Sequence, residues 1–567
     1  TIRSIAHHHH APAMTLLLPS LQAERIRRSI VDYLSTTFAL TDAEPRRVLT
    51  DFLEDEKQGV FVGPFVRLRL PYLAASARPG TTDPAHPADR PLDWDPGLTP
   101  YRHQEDAYRR LTTKAGHRPE PTIVTTGTGS GKTESFLHPV LDHVLRARAQ
   151  GITGIKALIL YPMNALASDQ ASRLASLIAK DPALADVRAA IYTGDSSASP
   201  RKHVTADSLI TDRYVIRDNP PDILLTNYKM LDQLLLRPED RELWRASAGS
   251  LTYLVLDEFH TYDGAQGTDV AMLLRRLGLT LRAHLPADHP RQEAFASAPL
   301  GPVCPVATSA TLGDGGDPSQ MLAFARDVFG TDLPTSAVVT ETRADLDQWA
   351  ATHRQVAESK GLAGRALRLR SLPGENLQAL AHLAEAGSPG PEELLRGVVA
   401  HLYDLPEEVE DTLDAAGLAS ALQAHPDVLD LVRAAEHSTS LADLARDLLG
   451  PIPESGLARR VLSAILAALS VVRAGLDGNP DRGAVNVEVT LWIREVTRVD
   501  RALSSLPSFR WADAASEQTQ VEEPARPALY CRSCGRSGWG IVLAPTGQKE
   551  KDDQTHVRRD RKTGDPR

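Results

Sequence analysis

The sequence predicts an α/β fold built on a parallel sheet for residues 98–340. Near-continuous apolar strands separated by helices are typical of a parallel sheet that is covered on both faces. A glycine-rich loop follows one predicted strand and an acidic pair follows another, at the strand ends where α/β proteins place ligands. The predicted strands are Thr122–Thr125, Ala157–Tyr161, Ala189–Tyr192, Asp222–Thr226, Leu251–Leu256 and Val303–Thr308.

The residues before this domain predict an accessory region. Residues 1–13 begin with Thr and contain a run of histidines, so we interpret them as non-native or disordered. Residues 14–97 form the accessory region and a linker, because residues 76–97 are rich in Pro, Asp and Ala. The elements predicted before the linker are helices over Leu21–Phe38 and Glu44–Leu53 and a β-leaning run over Val60–Leu70.

The residues after the α/β domain predict two further regions and a tail. Residues 341–480 carry Ala and Leu at helical spacing, which predicts a helical domain. Its run Val461–Val472 is too short to span a bilayer and predicts a buried helix. Residues 481–545 are β-leaning and hold a Cys-x-x-Cys, so they predict a small β-rich module. Residues 546–567 are charged and almost free of apolar side chains, which predicts disorder.

Composition limits the class of protein. The chain has 567 residues, which is enough for roughly two to four domains. Its 63 Lys and Arg against 73 Asp and Glu give a formal charge of −10, so a nucleic acid would bind a local groove and not a basic face. Three cysteines exclude a disulfide scaffold and fit a reducing compartment, so we expect a cytoplasmic protein without a membrane segment.

The most specific signal is the loop Thr-Gly-Thr-Gly-Ser-Gly-Lys-Thr between a predicted strand and a predicted helix. Its glycines allow successive N–H groups to turn toward an anion, and the helix directs its positive end to the same place. We expect Lys132 to reach the β- and γ-phosphates of a nucleotide and Thr133 to ligate Mg²⁺. The other loop residues expected to cradle the phosphates are Thr126, Gly127, Thr128, Gly129, Ser130 and Gly131.

An acidic segment follows the strand Leu251–Leu256. Asp257 is expected to hold Mg²⁺ at the carboxyl end of this strand, and Glu258 to orient and deprotonate the attacking water. An acidic turn after a strand is common by itself. Its combination with the phosphate loop favours the catalytic interpretation.

Three segments in this order carry a family resemblance. The loop at 126–133, Asp-Glu-Phe-His at 257–260 and Ser-Ala-Thr at 309–311 resemble motifs I, II and III of superfamily 2 DEAD/DEAH-box helicases. The resemblance implies a RecA-like ATP-binding domain over residues 98–340. It implies that His260 joins Lys132, Asp257 and Glu258 in catalysis, and that Ser309 and Thr311 couple hydrolysis to nucleic acid.

Further segments fit the same family. Residues 98–104 resemble the Q motif, which implies that Gln104 reads the adenine of ATP. Residues 161–170 resemble motif Ia, although Asn164 stands where Arg is commoner. The resemblance implies a nucleic-acid partner, with DNA favoured over RNA, and the alternative for each contact segment is an ordinary turn. The expected nucleic-acid residues are Pro162, Asn164, Thr193, Gly194, Thr226 and Asn227.

The amino-acid sequences of several segments are more similar to one bacterial group of helicases. Residues 161–166, 257–269 and 530–539 resemble large YprA-like helicases, whose relatives occur in DNA repair and in phage-defence systems such as DISARM. The resemblance implies repair or defence partner proteins. Superfamily 2 motors bind ATP between two RecA-like domains, and the second supplies arginine fingers. No Gln-x-x-Gly-Arg-x-x-Arg segment follows residue 340, so the sequence resembles the N-terminal part of a longer protein, with weak ATP binding and slow or no turnover.

The cysteines predict at most half of a metal site. Cys531 and Cys534 have the spacing of one half of a zinc ribbon, which needs four ligands, and His556 is a weak third candidate. We expect structural Zn²⁺ only where a second ligand pair completes the site. Cys304 lies on a predicted buried strand and is expected in the core.

The preferred function is that of an ATP-dependent nucleic-acid helicase or translocase. One alternative is a duplex translocase or remodeller in a defence complex that does not unwind. A second is a non-catalytic interaction fragment, and a third is a phosphate-loop NTPase unrelated to nucleic acid.

Overall fold

The chain divides into two compact units. The continuous unit is Tyr72–Arg343, and the split unit combines Thr1–Pro71 with Ala344–Arg567. The computed structural model describes residues 19–37, 40–55, 59–75, 90–127, 129–194, 200–310, 317–384, 390–406, 412–450, 455–476, 479–494, 499–512, 525–531 and 533–540.

The helices and strands are numbered in chain order. The helices are α1 Pro19–Thr37, α2 Ala43–Glu54, α3 Arg102–Leu111, α4 Lys132–Ala149, α5 Asn164–Lys180, α6 Arg213–Asp218, α7 Tyr228–Leu236, α8 Arg241–Ser247, α9 Gly264–His284, α10 Ala294–Ser297, α11 Ser319–Phe329, α12 Leu346–Ser359, α13 Gly374–Leu383, α14 Pro391–Tyr403, α15 Ala415–Ala424, α16 Pro426–Ala434, α17 Leu441–Leu449 and α18 Ser455–Ala474. The strands are β1 Phe61–Arg69, β2 Thr122–Thr125, β3 Ala157–Tyr161, β4 Ala189–Tyr192, β5 Ile223–Asn227, β6 Tyr253–Leu256, β7 Cys304–Ser309, β8 Val338–Thr340, β9 Thr439–Ser440, β10 Asn486–Ile493, β11 Val499–Ala502, β12 Phe509–Trp511, β13 Ala525–Tyr530 and β14 Ser537–Trp539.

The continuous unit is built on a seven-stranded parallel sheet in the order β4-β5-β3-β6-β7-β2-β8. This confirms the predicted fold class. The strands β2, β3 and β4 coincide with predicted runs. The strands β5 and β7 are each shifted by one residue toward the C-terminus, and β6 begins two residues later than predicted. The strand β8 was not predicted, because only its middle residue is buried and three residues give little apolar signal.

Side chains from both faces of this sheet are buried. Along β3, Ala157, Ile159 and Tyr161 pack in one apolar cluster with residues of α4 and α5. Leu158 and Leu160 point to the other face and pack with residues of α7, α8, α9 and α11. Burial on both faces explains why these strands have continuous apolar runs and not alternating ones.

The split unit joins the two ends of the chain. The strand β1 pairs antiparallel with β10 and with β9, so the N-terminal residues share a sheet with the region after residue 438. The predicted accessory region is therefore not separate from the C-terminal regions within this unit. Pairing between strands so far apart in sequence leaves no local signal. The finer boundaries at 340, 480 and 545 stay predictions.

The longest apolar run of the chain is a core helix of this unit. Residues Val461, Leu462, Ile465, Leu466 and Leu469 of α18 are almost fully buried against the neighbouring helices, which confirms the predicted buried helix. Among the helices in the described ranges, none is long and apolar enough to cross a bilayer. Residues 1–13 and the predicted tail, with His556, lie outside the described residues.

Candidate functional site

The glycine-rich loop joins β2 to α4 at the carboxyl edge of the sheet. Gly129 and Gly131 have φ values of 76° and 78°, the left-handed conformation that glycine adopts without strain. No side chain in the described part of the chain caps α4, so the N–H groups of its first turn lack the usual capping partner there. An uncapped helix N-terminus behind a turn of this kind is suited to binding an anion. Thr128 lies outside the described residues.

Two neighbouring side chains of α3 hold the loop through hydrogen bonds to its carbonyl groups. His103 Nε2 donates to the Ser130 carbonyl at 2.9 Å, and Gln104 Nε2 donates to the Gly131 carbonyl at 3.2 Å. A Cβ atom at position 131 would lie 2.2 Å from Gln104 Nε2 and would displace that amide, and the φ of 78° also favours glycine there. Burial lowers the pKa of His103, which keeps the ring neutral. The predicted adenine contact of Gln104 stays a prediction, and its amide here is buried against the loop.

Lys132 opens α4 with an ammonium group that lacks a hydrogen-bond partner. Its Nζ atom is buried and makes no hydrogen bond within the part of the chain that the structure describes. Glu258 Oε1 lies 3.7 Å away, which is close enough for an ion pair but beyond hydrogen-bonding distance. A buried cation without a hydrogen bond is costly unless a ligand completes it. Lys132 is therefore suited to a phosphate.

Asp257 follows β6 and is 5% exposed. Its Oδ1 atom accepts hydrogen bonds from the Thr308 hydroxyl and from the Glu258 N–H. Burial raises the pKa of this carboxyl, and the Thr308 hydrogen bond only partly offsets that effect. A buried carboxylate of this kind is suited to a divalent cation, whose charge would restore the ionised form.

Thr308 was not among the predicted site residues. It lies on β7 and contacts both acidic residues, since Glu258 N–H also lies 3.3 Å from its hydroxyl. The register of β6 and β7 pairs Leu256 with Ala307, so Asp257 comes beside Thr308. The polar Thr308 at the end of an otherwise apolar strand was the available signal.

Replacing Asp257 with asparagine is expected to raise the melting temperature of the ligand-free protein at pH 8. The folded-state pKa lies above the unfolded value, so the stability contribution of Asp257 is lost as the pH rises through the folded pKa. Asparagine removes the buried charge and keeps an oxygen for the Thr308 and Glu258 hydrogen bonds.

The measurement is thermal unfolding without Mg²⁺ or nucleotide, with the exposed Asp269→Asn as the matched control. The gap between Asp257→Asn and the wild type should narrow as the pH falls through the folded-state pKa. A variant that melts below the wild type at pH 8 would contradict the burial argument.

Glu258 links the loop to the predicted coupling residues. It has φ and ψ of 50° and 50°, an uncommon backbone conformation for a residue other than glycine, of a kind that clusters at functional sites. Its Oε2 atom lies 3.5 Å from His260 Nδ1, and the same ring nitrogen lies 3.3 Å from the Ser309 hydroxyl. The structure therefore brings Glu258, His260 and Ser309 together. Thr311 lies outside the described residues.

Two of the predicted nucleic-acid residues meet at the same edge of the sheet. Asn227 Nδ2 donates to Asn164 Oδ1 at 2.6 Å, because Tyr161 and Asn227 are paired at the ends of β3 and β5. The same Asn227 caps α7 through the Met230 N–H. Pro162 precedes Asn164 in the turn after β3.

Thr226 is a correction to the prediction. Its side chain is fully buried and its hydroxyl donates to the Tyr192 carbonyl at 2.6 Å, so it joins β5 to β4 and is not available to a nucleic acid. Thr193 and Gly194 lie at the end of β4, where Gly194 is exposed. The guanidinium of Arg213 reaches the Thr193 carbonyl at 3.4 Å.

The cysteine pair lies in the split unit, in the turn between β13 and β14. Cys531 and Cys534 are both exposed, and hydrogen bonds from Cys534 lower the pKa of the Cys531 thiol. No cluster of three or more metal-ligating side chains occurs in the described ranges, so zinc binding stays a prediction. Cys304 is buried on β7, as expected, and burial raises the pKa of its thiol.

The loop, the acidic segment and Ser309 all fall within a recognised domain. Residues 101–313 match the family of DEAD/DEAH box helicases. This part of the chain is therefore a DEAD/DEAH box helicase domain, and its family name agrees with the resemblance drawn from the three segments.

The chain is similar to several known proteins over parts of its length. Over 333 residues, 42% of the chain, it is 28% identical to Druantia protein DruE of Escherichia coli (strain UMEA 4076-1). Over 177 residues, 31% of the chain, it is 33% identical to YprA of Bacillus subtilis (strain 168), named as an uncharacterized ATP-dependent helicase. These matches span 17% and 20% of the relatives' own lengths. Among solved structures, the DUF1998 helicase MrfA bound to DNA is similar over 63% of this chain and 48% of its own, with 21% identity and a TM-score of 0.32.

Proposed function

We propose that the continuous unit is the ATP-binding half of an ATP-dependent helicase or translocase that acts on nucleic acid, with DNA preferred. The observation that carries this proposal is the buried Lys132 ammonium, which lacks a hydrogen bond in the described chain. It lies at the uncapped end of α4, with the carboxylate of Glu258 nearby. A bound triphosphate would supply hydrogen-bond acceptors both to this ammonium group and to the N–H groups in the first turn of α4.

The acidic residues would then divide two tasks. Thr133 and Asp257 would hold Mg²⁺, which neutralises phosphate charge during transfer. Both hydrogen bonds to Asp257 go to Oδ1, so Oδ2 is the oxygen suited to the cation. Glu258 would orient and deprotonate the attacking water. Glu258 contacts His260, which in turn contacts Ser309. These contacts would transmit a change at the hydrolysis site to Ser309.

The edge of the sheet near β4 supports a nucleic-acid track. Arg213 lies over the ring of Tyr192, with its guanidinium 5.3 Å from the ring centroid, and contacts the Thr193 carbonyl. The next residue, Tyr214, is 81% exposed. An exposed aromatic ring that follows an arginine in the sequence is suited to base stacking, with the arginine available for a phosphate contact. Neither residue was predicted from the sequence, because neither belongs to a recognised segment.

Replacing Tyr214 with alanine is expected to weaken binding of single-stranded oligonucleotides. One lost base stack costs about 1–3 kcal/mol, which corresponds to about a 5- to 150-fold higher Kd. The measurement is fluorescence anisotropy with labelled DNA and RNA oligomers. Tyr214→Phe keeps the ring and should bind like the wild type. Equal affinity of Tyr214→Ala and Tyr214→Phe would remove this residue from the track.

The nucleic-acid part of the proposal has a direct test. ATP hydrolysis should rise when single-stranded polymer is added, and more with DNA than with RNA. Hydrolysis that neither polymer changes would favour an NTPase unrelated to nucleic acid. The repair or defence role, duplex translocation without unwinding and a non-catalytic role stay hypotheses, and the intact set of Lys132, Asp257 and Glu258 disfavours the last.

A further inference from the structure

A carboxylate outside the known segments contacts the phosphate loop. Glu341 follows β8, and the register places Thr125 of β2 beside Thr340 of β8. The residues that follow β2 therefore come close to the residue that follows β8. The N–H of Gly127, in the first turn of the loop, donates to Glu341 Oε2 at 2.8 Å.

A cation balances this carboxylate. Arg343 Nε donates to Glu341 Oε1 at 2.8 Å, and both side chains are mostly buried, with 20% and 24% of their surfaces exposed. The guanidinium carbon of Arg343 also lies 4.1 Å from the ring centroid of Tyr72. Stacking on an aromatic ring fixes the planar guanidinium in place. Tyr72 and Arg343 are moreover bridged through their main chains.

The charge balance matters because the loop is suited to an anion. An isolated carboxylate so close would repel phosphates, and the repulsion would be strong where water is largely excluded. Glu341 binds Gly127, at the start of the loop, while the uncapped N–H groups of α4 lie at its other end. The Glu341 carboxylate therefore holds the start of the loop in place and does not occupy the anion site at the start of α4.

We infer that Glu341 is a positioning residue for the phosphate loop, and that Arg343 neutralises it so that phosphates are not repelled. This inference rests on the proposed ATP binding. Three of the contacts that hold the loop then come from side chains outside it: Glu341 at Gly127, His103 at Ser130 and Gln104 at Gly131. The first comes from the residue after β8 and the other two from α3.

The test compares two replacements of Glu341. Glu341→Gln keeps an oxygen acceptor for the Gly127 N–H, whereas Glu341→Ala removes it. Without nucleotide, Glu341→Ala should exchange the amide hydrogens of peptides containing residues 126–131 about 10-fold faster than the wild type, and Glu341→Gln should not. ATP binding, followed with a fluorescent ATP analogue, should weaken about 10-fold in Glu341→Ala and be rescued in Glu341→Gln.

A double-mutant cycle tests the charge balance. Arg343→Met should weaken binding of the analogue, because it leaves Glu341 unneutralised beside the phosphates. The double variant Glu341→Gln/Arg343→Met should recover most of that loss. Melting temperatures of all variants identify any that are not folded.

The outcomes separate the two proposals. Tighter binding in both Glu341 variants would make Glu341 a competing anion and overturn the positioning role, as would unchanged binding and exchange in Glu341→Ala. A wild-type protein that binds no ATP would instead contradict the proposed function, while hydrogen exchange would still report on the anchor.

Discussion

Replacing Lys132 with alanine is expected to raise the Kd for ATP about 10- to 150-fold. Hydrogen bonds to charged groups contribute about 1.5–3 kcal/mol, and Lys132 has a buried ammonium with no such bond in the described chain, so the phosphates would supply it. The same replacement removes a buried cation, so the ligand-free protein should remain folded. The measurement is calorimetric titration with ATP and Mg²⁺.

Two further lysine variants serve as controls, one at an exposed site of the same unit and one at position 132 itself. Lys180 is exposed at the last turn of α5, so Lys180→Ala should bind ATP like the wild type. Lys132→Arg keeps the charge but changes its geometry, and it should fall between the wild type and the alanine variant. ATP retained at wild-type affinity by Lys132→Ala would overturn the assignment of this loop as the phosphate site.

Replacing Glu258 with glutamine is expected to separate binding from hydrolysis. A general base contributes about 10²- to 10⁴-fold to the rate, so hydrolysis should fall by that factor. ATP binding should be kept or tightened, because the change removes a negative charge 3.7 Å from the Lys132 ammonium and close to the phosphates. Single-turnover hydrolysis of radiolabelled ATP measures the chemical step even when turnover is slow.

The matched control is Glu242→Gln on α8. Glu242 is exposed and pairs with Arg245 on the surface, so its loss should change neither the rate nor the affinity. If Glu258→Gln hydrolyses ATP at the wild-type rate, another group activates the water. If it loses both binding and hydrolysis, Glu258 is needed for the architecture of the loop, which its strained backbone conformation would explain.

The elements that were predicted correctly have local signals. The runs of β3 and β4 are apolar throughout because both faces of the sheet are covered, and β2 combines two apolar residues with the β-branched Thr122 and Thr125, so the strand bounds could be predicted from the residue types. The loop and Asp257 were predicted as site residues for a similar reason, since the signal for each lies in contiguous residues. Thr226 was assigned to the nucleic-acid contacts because the sequence does not show whether the hydroxyl of a strand-end threonine faces solvent or a neighbouring carbonyl.

The features that were missed depend on strands that meet across long stretches of chain. Thr308 acquires its role only because β7 lies beside β6, and Glu341 only because β8 lies beside β2. The pairing of β1 with β10 likewise joins residues from opposite ends of the chain. None of these partnerships has a periodicity or a spacing that a window of sequence could reveal.

The amino-acid sequence by itself determined the class of the protein, and it predicted where the phosphate loop and its acidic residues lie. It could do so because those residues act through short contiguous segments whose backbone chemistry is set locally. Only the tertiary structure decided what holds the loop, what shifts the pKa of Asp257 and which polar side chains are buried. Those properties come from burial and from the register of neighbouring strands, which exist only once the sheet has formed.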